Sequence, residues 1–244
     1  MIAVPVAWTH FNPYEAGHQT GYVPQEFDAE TGFVEYIDEL VEFAGRNCYK
    51  AWGRKNPKTA KNDAYVAQII DHAHFSVMEH GSVTFVVEGV SRALMAELTR
   101  HRHLSFSINS QRYINYAKTE PVIPPAIADD EVAVADLKEH YKQCIARYEV
   151  QVAALKDEGL NNKQAREAAR HYLPECAPVG MVVTGNMRAW REVISKRWHV
   201  AADKEIQELA RQLLVELKGI SPACFQDYDV EKPLSYERGS GEAK

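Results

Sequence analysis

The spacing of apolar residues constrains this chain most, because it switches along the sequence between a period near 3.6 and a period of 2. Val134, Leu137, Tyr141, Cys144, Ile145, Tyr148, Val152 and Leu155 keep helical spacing, which puts one apolar stripe on a long amphipathic helix. Phe33, Ile37, Leu40, Val41 and Ala44 trace a shorter stripe on a helix ending near Trp52, and Asn62 to Ala73 suits another helix. By contrast, Val83, Phe85 and Val87 alternate with Ser82, Thr84 and Val86 until Gly89, the pattern of a strand, and Ile2 to Trp8 and Val179 to Thr184 are two further strands. Ser91 is placed to cap a helix through Leu98, and Gln164 to His171 forms a short helix stopped before Pro174. Asn186 is placed to cap a last long helix whose stripe runs through Ile206, Leu209, Ala210, Leu213, Leu214 and Leu217 to Gly219. Pro13 to Pro24, with Gly17 and Gly21, is expected to be a loop. Several helices with a few separated strands place the chain in the α+β class.

At 244 residues, with 45% hydrophobic and 25% charged residues, the chain can fill a full core, and its composition does not split it. Residues 1–228 are expected to form one domain and 229–244, with Gly239, Ser240 and Gly241, a frayed tail. No apolar run approaches the roughly 20 residues needed to span a bilayer, and the N-terminal stretch lacks a charged leader, so a cytoplasmic protein is expected. Cys48, Cys144, Cys176 and Cys224 form no Cys-x-x-Cys pair, and four reduced, mostly buried thiols are expected. A net charge of −6 argues against a general nucleic-acid binder.

Against that acidic background, Arg100, Arg102 and Arg112 put three permanent cations into 13 residues, with His101 and His103 between them. Guanidinium groups held so close repel one another and call for an anion. Ser105, Ser107, Asn109, Ser110, Phe106 and Tyr113 add hydrogen-bonding groups and ring faces, which suits a nucleotide. Further arginines stand at 166, 170, 188, 191 and 197. His72, His74 and His80 match no zinc signature, and nearby guanidinium groups would repel a divalent cation, so no metal is expected.

Arg100-His101-Arg102, seven residues and then Ser110, followed by Arg112-Tyr113, closely resembles the signature of the flavin-dependent thymidylate synthases. The resemblance extends to His74 to His80, to Phe43 to Tyr49, to Asn56-Pro57-Lys58-Thr59, to Arg166-x3-Arg170-x2-Leu173-Pro174, and to Thr184-Gly185-Asn186-x-Arg188-Ala189-Trp190 through Arg197, roughly residues 34 to 228. It implies a mostly antiparallel sheet flanked by long helices, assembled as a homotetramer whose sites lie where subunits meet. It also implies FAD as cofactor, with methylenetetrahydrofolate and NADPH as co-substrates in making thymidylate (dTMP) from deoxyuridylate (dUMP). By resemblance, His74, Ser76, Arg100, His101, Arg102, Ile108, Asn186, Arg188 and Glu192 fall on FAD, and Glu97, Arg100, Ser110, Gln111, Arg112, Arg170 and Arg197 on the nucleotide. Arg197 is the residue implied to favour ionisation of the uracil at N3, enriching C5. Neither Pro-Glu-Cys176-Ala nor Pro-Ala-Cys224-Phe resembles the Pro-Cys-Gln nucleophile of the cysteine-dependent enzymes. The chain departs from the family pattern at Ile108, usually Glu or Gln, and at Glu192, usually Asn or His. A non-catalytic nucleotide-binding or RNA-binding relative is the alternative those departures leave open.

Overall fold

A computed structural model describes residues 1–22, 36–52 and 56–235. Four strands, β1 (Ile2–Trp8), β2 (Ser82–Ser91), β3 (Leu104–Ile108) and β4 (Pro178–Asn186), form one antiparallel sheet in the order β1-β2-β4-β3. Among the described residues the helices are α1 (Pro13–Thr20), α2 (Asp38–Tyr49), α3 (Asn62–Asp71), α4 (Arg92–Leu98), α5 (Glu131–Asp157), α6 (Asn162–Ala169), α7 (Met187–Arg197) and α8 (Lys204–Ile220). The α+β class and the antiparallel sheet are as the sequence implies. No helix among the described residues is long and apolar enough to cross a membrane.

Alternation along the strands gives the sheet two unlike faces. Val83, Phe85, Val87, Met181 and Val183 are buried in the main core with Trp190, Ile194, Leu209 and Leu213 from α7 and α8. Phe85 meets the Trp190 ring edge to face at 5.1 Å, and the indole N–H donates to the Val83 carbonyl at 3.1 Å. The other face carries Val4, Val86 and Val182 in register across three strands, with Val4 at 47% and Val182 at 39% exposure. A second, smaller core joins Tyr141, Ile145 and Tyr148 of α5 to Tyr116 and Ala169. Val152 packs against this core from the next turn of the α5 stripe, while Val132 and Val150, which lie off the stripe, are exposed on the same helix.

Several expectations are corrected. The segment expected to be a loop holds α1, begun by the Asn12 side chain, which accepts the Glu15 N–H at 3.3 Å, and ended by Gly21 at φ 78°. Asn-Pro at the start and Gly at the end are helix punctuation, which outweighs Gly17 inside. Strand β2 does not stop at Gly89: a bulge between Val87 and Val90, with Gly89 at φ 70°, carries it on to Ser91. The expected last helix is two, α7 and α8, broken at Trp198–Asp203. Strand β3 was not anticipated, although Leu104, Phe106 and Ile108 alternate with Ser105 and Ser107. Of the four cysteines Cys224 alone is buried, while Cys48 is exposed. Phe33, Pro24, Gly239, Ser240 and Gly241 lie outside the described residues. Val230 and Leu234, from the expected tail, pack against the main core.

The helix delivering the basic segment is anchored at its start. The Ser91 hydroxyl accepts the Leu94 N–H at 3.0 Å as the cap of α4, and it donates to Glu205 of α8 at 2.6 Å. Glu205 also takes the Ser91 backbone N–H at 2.8 Å, so a buried carboxylate is satisfied twice by one residue. Ser91→Ala should cost about 1–3 kcal/mol, more than an exposed cap, because it also strips a hydrogen bond from a buried carboxylate. Urea unfolding of the variant against the parent measures it.

Candidate functional site

The ends of α4 and α7 meet at a clamp around Arg197. Its Nη1 donates to Glu97 Oε2 at 2.7 Å, its Nη2 to the Glu97 carbonyl at 3.0 Å, and its Nε to His101 Nε2 at 3.1 Å. A guanidinium has five N–H groups, so this clamp uses three and leaves two to offer a ligand. Because Arg197 Nε can only donate, His101 Nε2 must be the bare acceptor and the ring proton sits on Nδ1. That Nδ1–H is buried with no partner among the described residues. Burial, and then the charges of Arg197 and Lys196, push the His101 pKa down to about 4, so the ring is neutral at pH 7. Of the residues implied on FAD, His101 is thus held inside the clamp, and Nδ1 is the atom it has left to offer.

A cleft of about 500 Å³ is lined by Arg92, Met95, Ile108, Asn109, Ser110, Gln111, Arg112, Glu167 and Arg170. Ser110, Gln111, Arg112 and Arg170, all expected on the nucleotide, therefore converge. The Ser110 hydroxyl accepts the Arg112 N–H at 3.4 Å, and the Ser110 carbonyl accepts the N–H groups of Tyr113 and Ile114, tying the segment into a compact turn. Arg166 braces that turn by donating to the Tyr113 carbonyl at 2.6 Å. Arg112 meets Glu167 at 3.3 Å in an exposed pair, the kind that contributes little and is readily exchanged for a better anion. Arg92 went unnoticed in the sequence, yet it lines the cleft with a buried Nη1 that has no partner among the described residues. Its signal was its place, first in the helix capped by Ser91. Three arginines against one glutamate make this an anion site.

A second cleft, of about 630 Å³, is bounded by Phe75, Glu79, His103, Asn186, Arg188, Ala189, Arg191, Glu192, Ser195 and Tyr228. Asn186 spends its carbonyl on capping α7, accepting the Ala189 N–H at 2.9 Å. Arg188 pairs with Glu79 at 2.6 Å, half exposed. Arg191 is structural: buried between the Phe75 and Tyr228 rings, it makes a two-pronged pair with Asp227 at 2.7 Å. Glu192 is tied to Lys196, whose hydrogen bond holds the carboxyl below its usual range. Ile108 lies instead at the rim of the first cleft and packs against the main core. An aromatic wall beside guanidinium and amide groups is a donor set that fits a dinucleotide such as FAD.

The remaining implied residues line neither cleft. His74 and Ser76 are exposed in the turn around Phe75–Glu79, and Arg100 and Arg102 are exposed without an ion pair among the described residues. His72 spends Nδ1 on the Gln68 carbonyl at 2.9 Å.

A family model described as thymidylate synthase complementing protein matches residues 33–223. The chain belongs to this family, the flavin-dependent thymidylate synthases. It is 46% identical over 245 residues to a probable flavin-dependent thymidylate synthase of Mycobacterium phage L5, covering 97% of this chain and 100% of that one. It is 44% identical to the flavin-dependent thymidylate synthase of Mycobacterium avium, over 85% of this chain and 84% of the relative. A crystal structure of thymidylate synthase X from Helicobacter pylori with FAD and dUMP superimposes with a TM-score of 0.65 at 20% identity, over 93% of this chain and 98% of that one. That last likeness is one of fold.

In this member of the thymidylate synthase family the clamp sets a pH dependence. The folded state keeps His101 neutral below its ordinary value of 6.5, down to about 4, while the unfolded chain takes up the proton near 6.5. Stability should be unaffected by this group above pH 6.5, fall between 6.5 and 4, and level off below, because the unfolded state binds more protons in that window. Urea midpoints across pH should show a shallower fall for His101→Gln.

Proposed function

We propose that the chain is an FAD-dependent thymidylate synthase that reductively methylates dUMP to dTMP. 5,10-Methylenetetrahydrofolate is the carbon donor, NADPH the reductant, and no cysteine acts as nucleophile. The observation that carries this reading is Arg197, fixed by Glu97 and neutral His101 with two N–H groups to spare. A permanent cation held in place stabilises negative charge at the uracil N3 and its flanking carbonyls without reorganising, and charge pushed into the ring reaches C5. Arg92, Arg112 and Arg170 neutralise the phosphate dianion, and Ser110 with the amides of its turn completes the oxygen shell. Gln111 and Arg100 take remaining polar groups of the nucleotide.

FAD, when bound, supplies the redox chemistry. Asn186, Arg188 and Glu192 would hold it along the second cleft, with His103 and Phe75 on its walls, while His74, Ser76, Arg100 and Arg102 reach it from exposed turns. Lys196 offsets part of the Glu192 charge beside a phosphate. Ile108 can offer only backbone there. The exposure of His74, Ser76, Arg100 and Arg102, none of which lines either cleft, supports the homotetramer, in which different copies complete one pocket. The apolar row Val4–Val86–Val182 on the open sheet face and the exposed Val132 and Val150 of α5 supply surface for that assembly. Burial pushes the Cys224 thiol well above its ordinary value and the Cys176 thiol upward, which favours the inert protonated form and supports a mechanism without thiolate. The reading places the enzyme in the cytoplasm, among its nucleotide and folate substrates.

An absorption spectrum of the purified protein, with and without dUMP, tests the reading. Flavin bands that shift on adding nucleotide, and dTMP formed from folate and NADPH, are expected; protein that takes up no FAD would promote the non-catalytic binder. Arg197→Ala should keep FAD and lower turnover by about 10²–10³-fold, the scale of losing one preorganised electrostatic group. Arg112→Ala should weaken dUMP binding by about 10- to 100-fold, the loss of a charge-assisted hydrogen bond. Cys176→Ser should retain turnover, measured by dTMP formation.

A further inference from the structure

Arg197 occupies the last turn of α7, where a helix has unsatisfied carbonyls and frays. Its side chain is gripped by Glu97 and His101, but that grip presents the guanidinium correctly only if the backbone behind it holds still. Trp198, the next residue, and Val200 just beyond it are held by three hydrogen bonds to the C-terminal segment. The indole N–H donates to the Asp229 carbonyl at 2.7 Å, the Leu234 N–H donates to the Trp198 carbonyl at 2.9 Å, and the Val200 N–H donates to the Leu234 carbonyl at 2.8 Å. His199 and Leu234 form a parallel bridge, and Val230 and Leu234 pack against the main core.

This contact accounts for where α7 stops. In a continuous helix the Trp198 carbonyl would accept from Ala202 and the Val200 N–H would donate to Lys196. Here Leu234 takes both groups, and the Ala202 N–H turns to the His199 carbonyl at 3.0 Å. The same segment grips α7 two turns earlier, where Asp227 pairs with Arg191 and the Tyr228 hydroxyl donates to the Arg191 carbonyl at 3.4 Å. Positions 191 and 198 are seven residues apart and lie on one face of the helix. The C-terminal segment is thus a splint along the helix that carries the activating arginine.

We infer that Trp198 and the strap Asp229–Leu234 are positioning elements for Arg197, holding its backbone while Glu97 and His101 hold its side chain. The inference rests on the synthase reading above and deepens it, since it assigns catalytic consequence to residues that touch neither cleft. Trp198→Phe removes the indole N–H and trims the bicyclic indole to a phenyl ring, keeping an aromatic ring in place. In the FAD-loaded full-length enzyme it should lower kcat about tenfold, the order expected for a small displacement of a catalytic group, with KM for dUMP and flavin content within about twofold. Amide hydrogen exchange over residues 194–200 should quicken in the same protein. In an Arg197→Ala background, Trp198→Phe should cause no further loss of residual turnover, because the group it positions is gone.

An equal loss in both backgrounds, or a lowered Tm with unchanged kcat, would make the strap merely structural and overturn the inference while leaving the synthase reading intact. Should Trp198→Phe fail to fold, Leu234→Pro, which deletes the N–H given to Trp198, is judged by the same outcomes. Wild-type protein that forms no dTMP overturns the reading, and the inference with it.

Discussion

The pairing of β2 with β4 is the constraint from which the site follows. The two strands are antiparallel, with Ser82 opposite Asn186 and Ser91 opposite Pro178, so the helices they feed begin at opposite ends of the sheet. Helix α4 leaves from Ser91 and α7 from Asn186, each capped by the side chain of that residue. Both pack into the main core and run toward each other, and together their 7 and 11 residues span about 27 Å, close to the length of the paired strands. Their C-terminal ends therefore meet, and there Arg197 finds Glu97. A one-residue slip of β2 on β4 would turn Val83, Phe85 and Val87 to the open face and separate the clamp at the same stroke.

Charge in this molecule is arranged in two kinds of pair. The clamp at Arg197 uses backbone and side-chain acceptors together, and Arg191 is buried in a two-pronged pair with Asp227; these are fixed. Arg112 with Glu167 and Arg188 with Glu79 are exposed and single-pronged. Exposed pairs contribute little to folding and yield to a dianion that offers more oxygens. The repulsion legible in the Arg100–Arg112 stretch is thus only partly relieved within the chain, and what is left unrelieved faces the clefts and open turns.

Where a feature depended on residues near in sequence, it was legible. The stripe from Val134 to Leu155, the alternation from Ser82 to Val87, and the caps at Ser91 and Asn186 are each one element's own pattern. Residues that depend on distant partners were harder to place. The break between α7 and α8 hid because the apolar stripe runs straight through it, while its cause, the pairing of Leu234 with Trp198 and Val200, comes from a segment read as a tail. The structural role of Arg191 was not legible because Asp227, its partner, lies 36 positions away. His101 was assigned by resemblance alone, and its neutral state follows only from Arg197 standing against it. Strand β3 is short and interleaved with the basic residues, so its alternation was overshadowed by the charges beside it.

The surroundings of Ile108 and Glu192 bear on the two departures that the resemblance implies. Ile108 ends β3, where an apolar side chain packs against the core while the neighbouring Asn109 gives its N–H to the Gly180 carbonyl at 3.0 Å. A polar residue there would face the first cleft, yet the cleft already gathers Arg92, Arg112, Arg170, Ser110 and Gln111 around its anion. Glu192 has a counterion one turn along α7 in Lys196, which offsets part of its negative charge at the second cleft. What remains of the Glu192 charge favours protonation of His101 in the clamp, against the larger effects of burial and Arg197. The groups fixing Arg197 come from two helix ends, and the strap behind it, Asp229–Leu234, lines neither cleft.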